Sequence, residues 1–387
     1  MAKNSRTSPH TPGVQYTTDE KNVQENVSVS LMSAEHSRQL ALEEEQRCRE
    51  AVISNTPINL EGARERLSAL RDKLRETFVD RDEAIDALLA ALISRAGCVI
   101  LGPPGTAKSM LIREIAKECS LVQGGDQANY FEYLLTAHTM PEEIFGPTDI
   151  SKLLGESPEV TRKTDGRLPH AEIAFLDEVF RGGSHILNTL LTILNERKFH
   201  NGRKIEDVPL ISFIGAANFP PQTEELQALY DRFPVRIWVD SVLTGRLGDQ
   251  LTKNATRLLT ASYPGSSTRA KPGGASKIST RDFRRLWADL YMRLGVPKAQ
   301  DKRLSEFVNN FNIFQSYVQL SDRAFGQLWL FAGALDVVRG SQPTQPVGGG
   351  GVGHIECFKY VSPTETHQDE IRDQVEELYA SYGIQGL

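Results

Sequence analysis

The stretch GPPGTAKSM, residues 102–110, constrains the fold more than any other part of the sequence. It follows the apolar run CVIL and opens the amphipathic run KSMLIREIA. Gly102, Lys108 and Ser109 match the phosphate-binding pattern G-x-x-x-x-G-K-[ST], with Ala107 at the position of the second glycine. A strand, this loop and a helix in that order predict a phosphate site built from backbone N–H groups and a helix N-terminus. The alternative is a Gly/Pro turn that resembles the pattern.

Each part of this loop has its own predicted task. The two glycines supply flexible backbone, and the two prolines stiffen the approach. Ala107 adds one methyl group, which is tolerable if its backbone is helical. Lys108 is predicted to reach the β- and γ-phosphates of ATP, and Ser109 to ligate Mg²⁺. The predicted nucleotide-binding residues are Gly102, Pro103, Pro104, Gly105, Thr106, Ala107, Lys108, Ser109 and Met110.

Polar residues end two further apolar runs. IAFLDE ends in Asp177 and Glu178, and FIGAAN ends in Asn218. Ligands of open parallel sheets bind at the carboxyl ends of the strands, so Asp177 is predicted to hold Mg²⁺ and Glu178 to polarise the attacking water. Asn218 is predicted to orient that water or to sense the γ-phosphate. The alternatives are an acidic pair that caps a helix, and an asparagine that serves a turn before two prolines.

Near-continuous apolar runs alternate with helical patterns in the first two thirds of the chain, which predicts an α/β fold with a parallel sheet flanked by helices. Helical patterns alone follow and predict a smaller all-α lid domain. The predicted strands are 98–102, 130–135, 173–178, 209–218 and 234–240. The predicted domains are a partly disordered N-terminal extension with one helix (1–55), an ATPase core (56–245) and a helical lid with a Gly-rich loop and a C-terminal helix (246–387).

Charge and cysteine usage narrow the class of protein. The formal net charge of −6 gives no support for nucleic-acid binding by the whole surface, although a local basic pore is compatible with it. The four cysteines lack C-x-x-C spacing and are expected to be free thiols in a reducing compartment. The longest apolar stretch is interrupted by Arg95 and is too short to span a bilayer. A cytoplasmic location is therefore expected, and the aromatic residues of the lid are expected to form its core.

Five motifs in order carry a family resemblance. The succession GPPGTAKS, FLDEVF, ILNTLLTILNERKF, GAAN and LYDRF resembles the AAA+ ATPases of the MoxR family. Within it, the stretches EIFGPTDISKLL, AEIAFLDE and LNTLLTILNER resemble the regulatory ATPase variant (RavA) branch most closely. The resemblance covers roughly residues 55–340. It implies an AAA+ P-loop core, with Lys108 and Ser109 as Walker A residues, Asp177 and Glu178 as Walker B residues and Asn218 as sensor 1.

The resemblance also assigns two arginines to catalysis. Arg232, in LYDRF, matches the arginine finger that is offered to a neighbouring subunit, and Arg323, in LSDRAF, matches the sensor 2 arginine. The simpler alternatives are that Arg232 caps its helix or pairs with Asp231, and that Arg323 is an ordinary surface residue. The rivals are Arg197 and Arg236 for the finger and Arg281 for sensor 2.

Two insertions lie between the predicted strands. Residues 146–170 match the insertion in helix 2 of this clade, and Val160-Thr161 with the turn signal Asp165-Gly166 predicts a hairpin there. That segment either projects into a ring pore and touches a client or is a passive loop. Residues 196–210 predict a second hairpin, with Asn201-Gly202 as its turn.

The resemblance implies an ATP-hydrolysing enzyme that forms a ring, expected to be a hexamer, and acts as a chaperone or remodeller of a protein client. Its cofactors are ATP and Mg²⁺. Family members often act with a von Willebrand factor A-domain partner, and this chain lacks a D-x-S-x-S motif, so such a partner is expected to be a separate protein. The alternatives are a nucleotide-gated scaffold or regulatory switch with slow hydrolysis and, less favoured, a nucleic-acid motor.

Overall fold

A computed structural model describes most of the chain. It covers residues 20–60, 62–119, 129–155, 157–221, 223–242, 255, 277–294, 301–315, 318, 320–341, 353–362 and 366–381, with the backbone alone for 20–34. The sequence also predicts a polar hinge-like loop at 264–278 and a flexible loop or linker at 341–353, and both lie largely outside these residues. The helices are α1 Glu20–Ser54, α2 Ala63–Thr77, α3 Asp82–Ser94, α4 Lys108–Glu118, α5 Pro141–Phe145, α6 Ile150–Leu153, α7 Ser184–Glu196, α8 Glu224–Tyr230, α9 Thr280–Leu294, α10 Lys302–Gln315, α11 Asp322–Val338, α12 Gly353–Glu356 and α13 Thr366–Ser381.

A five-stranded parallel sheet forms the centre of the α/β part. Its strands follow the order β2-β3-β6-β1-β7, so the strand before the phosphate-loop sequence is flanked by two strands that come much later in the chain. All five predicted strands are present, and the predicted parallel pairing is confirmed. The bounds are β1 Cys98–Leu101, β2 Tyr130–Leu134, β3 Ile173–Asp177, β6 Ser212–Ala217 and β7 Val235–Trp238, with a separate hairpin of β4 Lys198–Asn201 and β5 Lys204–Asp207.

Both faces of the sheet are buried, as its apolar strands require. In β1, Cys98 and Ile100 point into one core, which α2, α3, α4 and the lid helices share. Val99 and Leu101 point into a second core, which includes the apolar face of α7. This alternation is the two-residue period of a strand, and it fixes β1 between two helical layers.

The C-terminal helices form the predicted all-α part, which packs on α3 through α11. Phe307, Phe311 and Phe314 of α10 are buried around Phe358, with ring centroids of Phe314 and Phe358 4.4 Å apart. The expectation that these aromatic residues form core is confirmed. Where this part meets the sheet-bearing part, Asp86 of α3 is 2 % exposed and accepts hydrogen bonds from three arginines, Arg71, Arg75 and Arg339.

The N-terminal helix α1 is longer than predicted. The sequence indicates a helix only over 37–53 and a poorly ordered segment over 1–30, whereas α1 already begins at Glu20. Its C-terminal half packs on α9, with Glu44 accepting a hydrogen bond from Arg285 at 2.9 Å and Glu45 accepting one from Arg95 at 2.7 Å. Charge pairing therefore docks a helix whose apolar face is narrow.

The two insertions differ from their predictions in one respect each. The hairpin predicted within 146–170 is wrong, because this segment forms the short α6 and one isolated bridge between Thr148 and Arg162. The hairpin predicted within 196–210 is confirmed as β4–β5, although Gly202 and Arg203 form its tip. The helix predicted to run to Phe199 ends at Glu196, where Arg197 adopts a left-handed φ of 56°.

Candidate active site

The loop between β1 and α4 has an unusual backbone. Gly102 has a φ of 144°, and a Cβ there would overlap the carbonyl oxygen of Val239, so no larger residue fits. Gly105 has a φ of 81° and faces open space. Ala107 has a φ of 65° and a ψ of 21°, which is left-handed backbone. The right-handed helical backbone that would make an alanine easy to accommodate is therefore not found at this position. Left-handed backbone costs a residue with a Cβ about 1 kcal/mol and is typical of functional loops.

Lys108 points its ammonium group into the loop. Its Nζ donates to the carbonyl oxygens of Gly102 at 2.6 Å and Pro103 at 2.8 Å, and to Asn218 Oδ1 at 3.2 Å. Burial lowers the pKa of this amine, while the nearby carboxylates of Asp177 and Glu178 act in the opposite direction. The cation therefore lies among oxygen acceptors at the mouth of the loop, where a phosphate would compete for its N–H groups.

Ser109 and Asp177 form the second contact of the site. Ser109 Oγ donates to Asp177 Oδ2 at 2.7 Å, and this pairing joins the start of α4 to the end of β3. The other oxygen, Asp177 Oδ1, accepts from the backbone N–H of Glu178 at 3.0 Å. Hydroxyl and carboxylate oxygens are the ligands that Mg²⁺ prefers, so these two side chains fit a magnesium ion.

Glu178 and Asn218 complete the cluster at the carboxyl edge of the sheet. Asn218 Nδ2 donates to Glu178 Oε1 at 2.8 Å, while Arg181 Nε lies 3.2 Å from Glu178 Oε2. Glu178 has a φ of 52° and a ψ of 44°, a left-handed backbone that a side chain adopts only when its surroundings impose it. Asn218 thus connects the cation of Lys108 to the carboxylate of Glu178.

Arg232 lies at the opposite edge of the sheet. A Cβ on Gly97, which directly precedes β1, would overlap the carbonyl oxygen of Arg232. Five residues at about 3.3 Å each separate the backbones of Gly97 and Gly102 by about 16 Å, so Arg232 lies far from the loop of its own chain. Arg232 Nη1 contacts Asp231 Oδ2 at 2.9 Å, which is the pairing expected as its simpler alternative.

Arg323 lies close enough to Arg232 for its charge to act on it, and it has no described contact with Lys108. Arg323 Nη1 donates to Asn195 Oδ1 at 3.1 Å, near the end of α7 that is distant from Glu178. Burial lowers the pKa of Arg232, and repulsion by Arg323 lowers it further. The two guanidinium groups thus lie within electrostatic range of each other, while each has its own partner, Asp231 for Arg232 and Asn195 for Arg323.

The rival arginines have structural contacts. Arg236 is buried, donates to the carbonyl oxygen of Val361 at 3.1 Å and stacks over Tyr230 at 4.0 Å. Arg197 donates to the carbonyl oxygen of Arg95 at 3.2 Å. Arg281 lies 3.6 Å from Glu44 of α1. None of the three has a described contact with the phosphate loop, and each holds its own segment against another part of the chain.

Sequence reasoning missed two arginines that support the site. Arg181 follows Glu178 by three residues and holds its second oxygen, and no local pattern distinguishes it from a surface residue. Arg81 is 8 % exposed and donates to the carbonyl oxygens of Thr106 at 3.4 Å and Asp240 at 2.7 Å. Arg81 thereby ties the phosphate loop to the end of β7, a contact between residues far apart in sequence.

The fold and the site together define a class. A β2-β3-β6-β1-β7 parallel sheet with a glycine-containing loop after β1, flanked by helices and followed by a helical lid, is an α/β P-loop core of the AAA+ ATPase type. The model of one family, the MoxR domain of MoxR–vWA–β-propeller ternary systems, matches residues 65–263, about half of the chain. The chain belongs to this family of MoxR domains.

Individual relatives agree with this assignment. An uncharacterised protein of Methanocaldococcus jannaschii is 50% identical over 171 residues, which is 44% of this chain and 43% of that protein. The chaperone ClpB of Enterococcus faecalis is 26% identical over 162 residues, 37% of this chain and 18% of ClpB. The chain thus spans less than half the length of these two relatives.

A solved structure shows the same fold. It is a protein of Cytophaga hutchinsonii named as a candidate ATPase, with a TM-score of 0.56 at 16% identity, and the match covers 83% of this chain and 95% of that one. Every helix in the described part of the chain is too short or too polar to cross a membrane.

Proposed function

We propose that the chain hydrolyses ATP as a MoxR-type AAA+ enzyme. The observation that carries the proposal is the cluster of Lys108, Ser109, Asp177, Glu178 and Asn218 at one sheet edge. In this proposal residues 102–110 bind the triphosphate, with Lys108 donating to the β- and γ-phosphates. Ser109 and Asp177 would hold Mg²⁺, which would supply positive charge to the triphosphate.

Glu178 is proposed to position and polarise the attacking water. Its carboxylate accepts from Asn218, which also accepts from Lys108, so a phosphate that draws Lys108 away also changes the partners of Asn218. Asn218 Oδ1 is then free to accept a hydrogen bond from the water, and a rotation of the amide that moves Nδ2 from Glu178 to the γ-phosphate would free Glu178 to accept from the water. In this role, the hydrogen bonds of Asn218 make the state of Glu178 depend on whether a phosphate occupies the loop.

The active site is proposed to be shared between subunits. The backbone of Arg232 lies against Gly97, about 16 Å along β1 from Gly102 of the loop, which supports a role towards a neighbour rather than towards its own nucleotide. Arg323 lies beside it and is proposed to act at the same junction as sensor 2. A finger that stabilises charge on the γ-phosphate accelerates hydrolysis by about 10³ to 10⁵. The head-to-tail contact this requires closes into a ring, which we propose to be a hexamer.

Turnover per subunit against protein concentration tests this proposal, with Glu178→Gln as the background control. Specific activity that rises and saturates supports a shared site. Specific activity that is flat while the protein stays monomeric contradicts it. If Glu178→Gln turns over as fast as the unmodified chain, the assignment of the base is wrong.

The wider role is proposed from the family and its relatives. The family is named for systems that combine MoxR, vWA and β-propeller components, which supports a separate von Willebrand factor A-domain partner. Similarity to ClpB, a chaperone, supports motion of the lid against the core that remodels a protein client in the cytoplasm. The proposed units are the extension 1–55, the core 56–245 and the lid 246–387. Within the MoxR family, the sequence motifs favour the RavA branch.

A regulatory switch with slow hydrolysis is the second candidate. The hydrogen bond from Asn218 and the ion pair with Arg181 hold both oxygens of Glu178, and this supports a resting state in which the base is occupied. Turnover that rises strongly when a client or partner is added favours the remodeller. Turnover that stays slow in every complex, with nucleotide-dependent partner binding, favours the switch.

A further inference from the structure

A cavity of about 510 Å³ lies away from the phosphate loop. Its walls come from three elements: α7, the insertion 146–170 with the preceding α5, and the hairpin strand β4. This volume is within the range of about 300 to 1,000 Å³ that ligand sites occupy. None of the residues assigned to ATP binding or to the arginine junction lines it.

The walls of this cavity are held rigidly together. Asn201, which ends β4, is 6 % exposed and accepts from the backbone N–H of Arg162 at 2.7 Å. Its amide nitrogen donates to the carbonyl oxygen of Arg162 at 3.1 Å and to Glu206 Oε1 at 2.9 Å. At the tip, the backbone N–H of Arg203 donates to Glu159 at 2.8 Å. The insertion and the hairpin therefore form one body, and the cavity is preformed.

The charge of the lining is one-sided. Among the described residues, the cavity is lined by Arg162, Lys198, His185 and His200 and by no acidic side chain, in a chain whose net charge is −6. Arg162 pairs at the rim with Glu142 at 3.0 Å. The side chains of Lys198 and His200 are exposed, and neither has a hydrogen bond or ion pair with the described residues. Such a surface is complementary to an anionic ligand.

The rest of the lining suits a polypeptide rather than a nucleic acid. Asn188, Thr189 and Thr192 lie on one face of α7 and offer side-chain donors and acceptors to peptide groups. Phe145 and Phe199 stack at 5.7 Å under the cavity but are only 1 % and 3 % exposed. Buried rings cannot stack on unpaired bases, which is how single-stranded nucleic acid is usually held.

We propose that this cavity binds an acidic segment of the client polypeptide, with Lys198 pairing with one of its carboxylates and Arg162 exchanging Glu142 for another. The identification of the occupant as a client rests on the proposed remodelling function. Binding in the cavity could affect catalysis, because α7 forms one wall of the cavity and begins six residues after Glu178. Engagement of the α7 face would act on the segment that holds the proposed base.

The test measures binding without nucleotide, so its outcome is independent of whether the chain hydrolyses ATP. Fluorescence anisotropy is recorded for a short glutamate-rich peptide, its glutamine-rich counterpart and a single-stranded thymidine oligonucleotide. We expect the glutamate peptide to bind the wild-type chain more tightly than the other two. Lys198→Glu should weaken its binding by about tenfold or more, since a charge-assisted contact becomes repulsive.

Two further variants separate the cavity from general surface charge. Lys204→Glu makes the same charge change on the same hairpin but outside the cavity, and it should retain peptide binding. Thr192→Trp fills the cavity from α7 without changing charge, and it should abolish binding. The proposal is overturned if Lys204→Glu weakens binding as much as Lys198→Glu, or if Thr192→Trp binds like the wild type. Preference for the oligonucleotide, or a changed oligomeric state in Lys198→Glu, would assign the cavity to nucleic acid or to a second copy instead.

Discussion

Single residues at the candidate active site carry strain that the sequence does not reveal. Ala107 and Glu178 both have left-handed backbone, although neither is a glycine. Each lies beside a group that the proposed reaction uses: Ala107 precedes Lys108, and Glu178 is the proposed base. Strained backbone of this kind persists where the surrounding structure imposes it, and it is concentrated at functional sites.

Replacement of Ala107 tests that reading. Ala107→Gly should leave the melting temperature unchanged or raise it, because glycine adopts a φ of 65° without a Cβ clash. Ala107→Val should destabilise the chain by about 1–3 kcal/mol, because a β-branched residue is a severe outlier there. Thermal unfolding of the two variants provides the measurement. Equal stability of both would mean that the loop relaxes to another conformation.

Asn218 should affect turnover rather than nucleotide binding. Asn218→Ala removes the link between Lys108 and Glu178, so kcat is expected to fall by about 10²-fold, as for loss of one positioned donor. The affinity for ATP should change by a few-fold only, since the backbone of the loop is untouched. Stopped-flow nucleotide binding and steady-state turnover give the two values. A loss confined to affinity would assign Asn218 to binding.

At the scale of elements, the N-terminal helix is attached by buried charge. Burial opposes ionisation of Glu45, but the guanidinium groups of Arg95 and Arg284 hold its pKa at about 2, below the ordinary 4.5. A lowered pKa of an acid means stability that is present above pH 4.5 and lost as the pH falls towards 2. The attachment of α1 should therefore weaken in acid.

Glu45→Gln should lower the free energy of unfolding by about 3–5 kcal/mol at neutral pH, because Arg95 is left buried without its partner. It should also flatten the dependence of stability on pH between about 4.5 and 2. Glu50→Gln, on the exposed side of the same helix, is the matched control and should change little. Denaturant unfolding at a series of pH values gives both quantities. A Glu45→Gln profile parallel to that of the wild type would show that another group titrates.

The link between the insertion and the hairpin can be tested through Asn201. Asn201→Ala removes both hydrogen bonds to the backbone of Arg162, and the cost of leaving those groups unpaired is about 1–3 kcal/mol. Hydrogen exchange at the amide of Arg162 should accelerate by about tenfold or more. Unchanged exchange at that amide would show that other contacts hold the two elements together.

The sequence predicts helices and strands well where the local apolar pattern determines them. It predicts them poorly where contacts with residues far along the chain determine them. The five strands and α9 follow their apolar patterns closely, because burial on both sides demands continuous apolar runs. The insertion fails as a predicted hairpin because the residues after its Asp165-Gly166 turn form a 3-10 turn over Leu168–His170 instead of a strand, while Asn201, about forty residues later, bonds to the backbone of Arg162. Likewise, Arg81 and Arg181 support the site through contacts that no motif encodes.

For the whole molecule, the arrangement separates two halves of one proposed active site. Lys108, Asp177 and Glu178 lie at the carboxyl edge of the sheet, while Arg232 and Arg323 lie together at its amino edge. The order of the strands predicts the first half, since strand ends meet at one edge. Arg323 of the helical part lies within electrostatic range of Arg232 of the sheet-bearing part, and the sequence alone assigns both arginines to catalysis only through the family resemblance.

Mixing two inactive variants tests the shared site most directly. Lys108→Ala lacks a working phosphate loop, and Arg232→Ala lacks the finger, so each alone should be nearly inactive. In random mixed rings about one junction in four combines an intact loop with an intact finger, so about a quarter of wild-type turnover should return. Lys108→Ala mixed with Glu178→Gln is the control, since both changes lie on the same side of the junction. No recovery in the first mixture, or equal recovery in both, would contradict the account.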